Sequence, residues 1–352
     1  MSLAAVAKRT WRENRLFSVL VELTYRCNLD CVFCYNDLAL RGRPLSFDHY
    51  VRLLADLERM GVFQVVLSGG EPLAHPDFFA IGAEARAKGF VVRLKTNGHA
   101  LDREAAHRLR KEVDPFLVEV SLHGATAATH ERQTRVPGSF ETLLENVADA
   151  LEEGLRLRLN STLTRWNEDE VERMFALADG LGVLLSFDPD LSIRDDGDRS
   201  PLDLAPSPEG LRRLFRVLRE RSIPVRPAAD DGLPVPGDGK HCGAGSSTAA
   251  IDPYGNVYPC VAWRVRSGNL HDSSIAEIWR GSTALAQVRE TTLEVPGRLA
   301  ALGEGAVKSG FCPGAAWAQT GSPFELAPGT TARREAVEEA FRTGPLLPVR
   351  RP

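Results

Sequence analysis

Between about residues 18 and 222 the chain alternates short apolar runs with longer amphipathic stretches, and this restricts its fold more than any other feature. Runs of strand length fall near 18–24, 63–68, 90–96, 116–122, 155–162 and 183–188. Helical periodicity occupies about 46–60, 77–88, 102–112, 140–153, 167–180 and 207–221. Strand then helix, repeated, requires crossover connections and hence an α/β fold with a parallel sheet. Ser46 and Ser139 are expected N-caps, and Gly61, Gly89 and Gly154 expected helix ends. The six βα units are two fewer than a closed barrel needs.

Buried parallel strands ordinarily read as continuous apolar runs. Several of these strands instead carry polar residues two apart, which places them on one face. They are Glu22 and Thr24; Arg93, Lys95 and Asn97; Glu119, Ser121 and His123; Arg156, Arg158, Asn160 and Thr162; and Ser186 with Asp188. The alternate positions, such as Val118, Val120 and Leu122, suit a face covered by helices. A polar wall of mixed charge fits a lumen that holds a ligand; a half-solvated sheet is the alternative.

The first apolar run leads straight into Cys27-Asn28-Leu29-Asp30-Cys31-Val32-Phe33-Cys34-Tyr35. Thiolates this close can share one metal site, but three leave a four-ligand site one short. Zinc would recruit a fourth Cys or His in a paired pattern, and no such partner lies nearby. A [4Fe–4S] cluster tolerates the vacancy, because its unligated iron can bind a small molecule. Ser68-Gly69-Gly70-Glu71-Pro72 ends the second strand. Its glycines allow backbone to approach a ligand closely, and its carboxylate can pair with an ammonium group.

At these residues the chain resembles the radical S-adenosylmethionine (radical SAM) superfamily, whose usual cysteine spacing is C-x3-C-x2-C. The resemblance implies a partial (β/α)6 TIM-like barrel, open at one side, with Cys27, Cys31 and Cys34 holding a [4Fe–4S] cluster. In that family the open iron chelates the amino and carboxylate groups of S-adenosylmethionine. Residues matching Gly69, Gly70, Glu71 and Pro72 meet the methionyl amino group. The resemblance also implies cofactor contacts from Asn97 in Thr96-Asn97-Gly98, from Ser121, and from Asn160 with Thr162. An arginine faces the carboxylate, where Arg132 and Arg135 compete and Arg132 is preferred. Of Phe33 and Tyr35, one is expected on the adenine and the other on the barrel wall.

Loop-like stretches at 189–206 and 224–240 are rich in Pro, Gly and Asp, with Asp195, Asp196 and Asp198 read as a solvated acidic loop. The expected organisation is an N-terminal extension at 1–17, the barrel at 18–225, a linker at 226–240, a smaller module at 241–320, and a C-terminal helix and tail at 321–352. Ala249 to Cys260 reads as a hairpin turning at Gly255-Asn256, with helical patterns near 274–289 and 331–342. Cys242, Cys260 and Cys312, with Gly268-Asn269-Leu270 and Ile275 to Trp279, resemble the SPASM or shorter twitch extension of the superfamily, an α+β unit holding auxiliary clusters. These cysteines suffice for one auxiliary Fe–S cluster, expected to be [4Fe–4S]. Its fourth ligand is His241, Asp252 or His271, or its iron is open. The alternative is Cys312 as a buried hydrophobe beside a vestigial site.

A net charge of −4 over 352 residues leaves no nucleic-acid footprint. Residues 1–15 lack an apolar signal region and no apolar run is long enough to span a membrane, so cytoplasmic residence is expected. In a reducing compartment six cysteines serve as metal ligands rather than disulfides. The resemblance implies reductive cleavage of S-adenosylmethionine to a 5′-deoxyadenosyl radical, with a flavodoxin- or ferredoxin-type electron donor. Removing a substrate proton calls for a base, for which Asp188, Asp190, Glu119 and His123 are available. Relatives with this layout suggest oxidation or cross-linking of a ribosomally made peptide or protein. The N-terminus is too short for a leader-binding winged helix, so a separate leader-peptide-binding protein is expected, or no leader. The alternatives are an aminocyclitol-type dehydrogenase, a haem-precursor-modifying enzyme, and, from another class, a non-catalytic Fe–S or zinc protein.

Overall fold

A computed structural model of the chain describes residues 3–37, 39–223, 239–301 and 311–342. Six parallel strands form the frame: β1 (Ser18–Glu22), β2 (Gln64–Ser68), β3 (Val91–Thr96), β4 (Leu117–Ser121), β5 (Leu157–Thr162) and β6 (Leu184–Asp188). They lie in sequence order, each joined to the next through helices, as the alternation in the sequence requires. The crossovers contain α2 (Phe47–Arg59), α3 (Phe78–Ala87), α4 (Arg103–Arg108), α5 (Ala127–Thr134), α6 (Ser139–Glu152) and α7 (Val171–Gly180); α8 (Pro208–Glu220) follows β6.

Helix α2 shows how the sequence sets these elements. Ser46 starts it, its backbone N–H donating to His49 Nδ1 at 3.3 Å, a reciprocal cap. Tyr50, Leu53, Leu54 and Leu57 recur at helical spacing and are all buried. Gly61 then reverses the chain at φ +71°, a conformation that disfavours any side chain. Burying each such leucine contributes about 1.5–3 kcal/mol. Their partners are the outward residues of the strands, including Val19, Val65, Leu94, Val118 and Leu159, all buried in one core.

The other face of the sheet carries the alternating polar residues, and its exposure rises across the sheet. Glu22 on β1 is buried, Ser121 on β4 is partly covered, and Ser186 and Asp188 on β6 are exposed. Leu184 shares that face and is 69% exposed, so the inner wall opens at the β6 edge. Arg156 does not belong to this wall. It precedes β5, is exposed, and donates to Pro115 O and Phe116 O at the strand's N-terminal end.

The C-terminal module continues the same sheet. β7 (Thr248–Ile251) pairs parallel with β1, and β8 (Asn256–Tyr258) and β9 (Gly268–Asn269) add antiparallel strands, giving nine in all. The expected hairpin is therefore present, with Gly255 at φ +81° in its turn. The stretch expected as one helix near 274–289 divides at Ser282 into α9 (Ile275–Gly281) and α10 (Thr283–Ala301). Among the described residues two more helices follow, α11 (Pro313–Thr320) and α12 (Pro328–Arg342). Most of the expected linker at 226–240 falls on 224–238, outside the described residues.

Three further differences have local causes. Residues 3–12 form a helix, α1 (Leu3–Arg12), where only a charged extension was expected. Helix α5 was not expected, being short and mostly polar. Ser139 is the first residue of α6 rather than its cap: Gly138, at φ +78°, stands at the N-cap, and the Ser139 hydroxyl lies 2.8 Å from that of Thr134. Among the described residues no helix is long and apolar enough to cross a membrane.

Candidate functional site

The loop after β1 carries Cys27, Cys31 and Cys34. Cys34 N–H donates to Cys31 O at 3.1 Å, a tight turn that keeps the last two thiols together. Burial raises the pKa of all three, and Cys27 and Cys34 add to the upward shift at Cys31, which marks their mutual proximity. Cys27 is nevertheless an exposed residue. Its sulfur accepts from Leu29 N–H and from Asn97 Nδ2, both at 3.5 Å. Buried beside the trio, Asn36 donates to Gly69 O at 3.2 Å while its Oδ1 has no partner. Among the described residues no group of three His, Cys, Asp or Glu is arranged to hold a single metal ion. Three thiols, amide donors to sulfur and an orphaned amide oxygen fit a [4Fe–4S] cluster with one open iron.

Gly69 and Gly70 bring the loop after β2 onto this segment. A Cβ at Gly69 would lie 2.4 Å from Thr24 O, and one at Gly70 2.5 Å from Arg26 O. Gly70 and Glu71 N–H groups donate to those carbonyls, at 2.7 and 2.8 Å. The glycines are thus required by backbone meeting backbone. Glu71 is buried and turned to the protein: it accepts from Leu73 N–H (3.0 Å), Thr96 Oγ1 (2.8 Å) and Asn97 N–H (2.8 Å). Burial raises its pKa to about 7 against these hydrogen bonds. It braces the loop that presents Asn97, whose Nδ2 also donates to Asn28 Oδ1 at 2.8 Å. Pro72 follows as the buried first residue of a short 3-10 turn.

The structure separates the remaining expected residues. Phe33 packs edge-on against His123, with centroids 4.7 Å apart, and His123 stacks on His130. Tyr35 instead donates its hydroxyl to Glu22 at 3.2 Å and belongs to the barrel wall. Arg132 stacks over Trp166 at 4.0 Å, whereas Arg135 pairs with Asp30, next to Cys31. Ser121 and Asn160 sit in register on β4 and β5, and Asn160 donates to Glu119 at 3.2 Å.

The bases also differ. Glu119 is paired with Arg93 at 2.6 Å and Lys95 at 3.7 Å. Burial, helped by His130, lowers the pKa of His123 to about 3, so its imidazole stays neutral. Asp188 lies on the open face, yet its carboxyl is desolvated enough for its pKa to rise, and its Oδ1 accepts from Asp190 N–H at 3.0 Å.

The second trio is partly buried, all three residues being of intermediate exposure. Burial pushes Cys242 and Cys260 up to about 12, with Cys312 adding to both shifts and Cys260 to that of Cys242. Ala244, Trp263 and Val288 surround them with Val265 and Trp317. Cys312 also caps α11, accepting from Ala315 N–H at 3.4 Å. The three expected fourth ligands are engaged elsewhere. His241 Nε2 lies 2.8 Å from Phe311 O. Asp252 braces the hairpin turn through Tyr254, Asn256 and Tyr258. His271 meets Arg43 O at 2.9 Å and packs edge-on against His49, in the first turn of α2.

A buried group that the sequence did not flag joins the two trios. Arg264, four residues past Cys260, grips Glu22 with both terminal nitrogens, at 2.6 and 3.0 Å. Its Nε faces Asp195 Oδ2 at 3.1 Å. Tyr25 completes the shell on Glu22 at 3.0 Å. Burial opposes the charge of Arg264, but Glu22 and Asp195 outweigh it and its pKa rises. Burial also raises Asp195 to about 7, so it is not merely a solvated acidic loop residue. Glu22 was visible as an inner-face residue, but no local pattern could pair positions 22 and 264.

A partial parallel barrel with one thiol trio after its first strand and a second in its extension defines an iron–sulfur enzyme with an auxiliary centre. The model of the radical SAM superfamily matches residues 21–178, and that of the SPASM iron–sulfur cluster-binding domain matches 242–298. The chain is 33% identical over 287 residues to mycofactocin maturase MftC of Mycolicibacterium smegmatis, covering 76% of this chain and 71% of that one. It is 30% identical to the PqqA peptide cyclase of Ruegeria pomeroyi, covering 78% and 76%. It is 27% identical to the AdoMet-dependent heme synthase of Methanosarcina barkeri, covering 87% and 94%. Among solved structures, anSMEcpe with bound AdoMet superposes with a TM-score of 0.70 at 18% identity over 93% of this chain and 97% of that one, a likeness of fold. The chain belongs to the radical SAM superfamily and carries a SPASM-type extension. It is a radical SAM enzyme, with [4Fe–4S] clusters and S-adenosylmethionine as its cofactors.

Proposed function

We propose that this enzyme modifies a peptide or protein substrate by oxidation or cross-linking. When bound, the first cluster and S-adenosylmethionine supply a 5′-deoxyadenosyl radical that removes a substrate hydrogen atom. The observation that carries the reading is the position of Cys312: it caps α11, whose Gln319 donates to Leu191 O at 3.4 Å in the loop that follows Asp188, at the open end of the inner wall. In this reading an electron acceptor and a proton acceptor share that open end, and the substrate enters there. Asp188 is the base in this reading, since Glu119 is held by two cations and His123 is a very weak base. Cys27, Cys31 and Cys34 hold the first cluster, and Cys242, Cys260 and Cys312 the auxiliary one. The Asn97 and Ser121 strand ends and the backbone of Gly69 and Gly70 line the S-adenosylmethionine site. The barrel at 18–225 and the module at 241–320 act as the two functional units.

One relative is a peptide cyclase, which supports the peptide class. A flavodoxin- or ferredoxin-type protein would supply the electron, and a separate leader-binding protein would present the peptide. The test is anaerobic reconstitution with S-adenosylmethionine and dithionite, with short peptides encoded beside the gene or a haem precursor as substrate. A mass change in a peptide supports the proposal. Turnover of the haem precursor alone transfers the chemistry to a tetrapyrrole, and no 5′-deoxyadenosine under any condition overturns it.

A further inference from the structure

We infer that Arg264 is a positioning residue that locks the loops of the two cysteine trios in one arrangement, acting through Glu22 and Asp195. Three segments far apart in sequence meet at its guanidinium. The first is the end of β1, where Glu22 is fully buried and accepts from Tyr25 and from Tyr35, the neighbour of Cys34. The second is the loop after β6, where Asp195 faces Arg264 Nε and its own N–H donates to Tyr35 O at 2.8 Å. The third is the extension itself, where Arg264 follows Cys260 and lies over the ring of Tyr258 at 5.0 Å.

The loop after β6 thereby spans both sites. Near its start Leu191 O accepts from Gln319 Nε2 at 3.4 Å, on the helix that Cys312 caps, and further on Asp195 is bonded to Tyr35, next to Cys34. A buried ion pair is a poor source of stability, because desolvating two charges offsets most of their attraction. A planar fork that gives one carboxylate two hydrogen bonds and holds its Nε in an ion-pair contact with a second carboxylate does fix geometry, and no other side chain can do this. Electron passage between the clusters and closure over a reactive radical both depend on that spacing. This holds for any substrate, so it stands apart from the peptide proposal.

The experiment uses the full chain with both clusters reconstituted under anaerobic conditions. In Arg264→Met, hydrogen exchange across 189–199 and 23–37 should rise at least tenfold, with β2 to β4 unchanged. Iron per chain should stay at the wild-type value, and the magnetic coupling between the two reduced clusters should weaken in the electron paramagnetic resonance spectrum. Arg264→Lys, whose point charge reaches one carboxylate, should restore protection to one of the two segments only. Asp195→Ala should loosen 189–199 and leave 23–37 protected, which decides the matter if the Met variant does not fold. Exchange within twofold of wild type in Asp195→Ala, or full recovery of both segments with lysine, would overturn the inference.

Discussion

The two cysteine trios have the same ligand chemistry but differ in what surrounds them. The first sits on a loop at the mouth of the barrel, with Cys27 exposed and Asn28, Asn97 and His99 hydrogen-bonded around it. The second has no exposed member, and Cys242 and Cys260 pack against Ala244, Trp263 and Val288. A site that must exchange a charged cosubstrate needs polar partners and an open side. One that only stores an electron is better insulated, since solvent and charge shift its potential. Environment, more than ligand identity, assigns the two roles.

The strongest way to break this contrast is to remove one thiol from each site. Cys31→Ala should abolish 5′-deoxyadenosine formation, a loss of several orders of magnitude that chromatography of the quenched reaction will show. Cys312→Ala should leave that cleavage within a fewfold of wild type and suppress product formation. Equal loss in both variants would mean that the auxiliary site is needed for the first to function at all.

A matched pair of glycines tests the loops that carry the thiols. The Cβ of Gly70→Ala would meet Arg26 O at 2.5 Å, and that of Gly314→Ala would meet Ala262 O at 2.8 Å. Neither carbonyl can yield as a flexible side chain would, so each change should destabilise the chain by about 1–3 kcal/mol. Gly70→Ala should displace Cys27 and lose the first cluster while keeping the second, and Gly314→Ala should do the reverse. Iron analysis with electron paramagnetic resonance separates these outcomes.

What could be read in advance followed the range of each interaction. The strands, the helices and the nine-residue spread of Cys27 to Tyr35 depend on neighbours in sequence, so period and spacing disclose them. The polar inner wall was legible for the same reason, because a strand alternates faces. Arg156 was misplaced there: parity is uniform along a strand, but where the strand begins is set by pairing with β4. The fourth-ligand expectations for His241, Asp252 and His271 rested on sequence nearness to cysteines, whereas their partners Phe311, Tyr258 and Arg43 are set by tertiary packing. Arg264 was invisible because its meaning lies in a residue 242 positions away.

The smallest expected effect concerns what lies behind the first site alone. His123 and His130 stack there between Phe33 and Phe140, and His123 N–H donates to His130 Nδ1 at 3.2 Å. That nitrogen must therefore stay unprotonated in the folded chain. Burial lowers the two imidazoles from the usual 6.5 to about 3 and about 4, with neighbouring histidines adding to each shift. A histidine depressed in the native state favours folding fully above its unfolded pKa, and the contribution is lost as pH falls towards its native value. Each proton excluded in this way costs about 1.4 kcal/mol per pH unit within the window. Glu71 acts in the opposite sense: its pKa is raised to about 7, so its contribution declines as pH rises from 4.5. The histidine effect is therefore isolated by difference. Between pH 6 and 4.5, urea unfolding of wild type should lose stability more steeply than that of His130→Asn, by about 1.4 kcal/mol per pH unit. Equal slopes would mean that the imidazole behind the first site protonates freely, and that this wall of the open site is wet rather than packed.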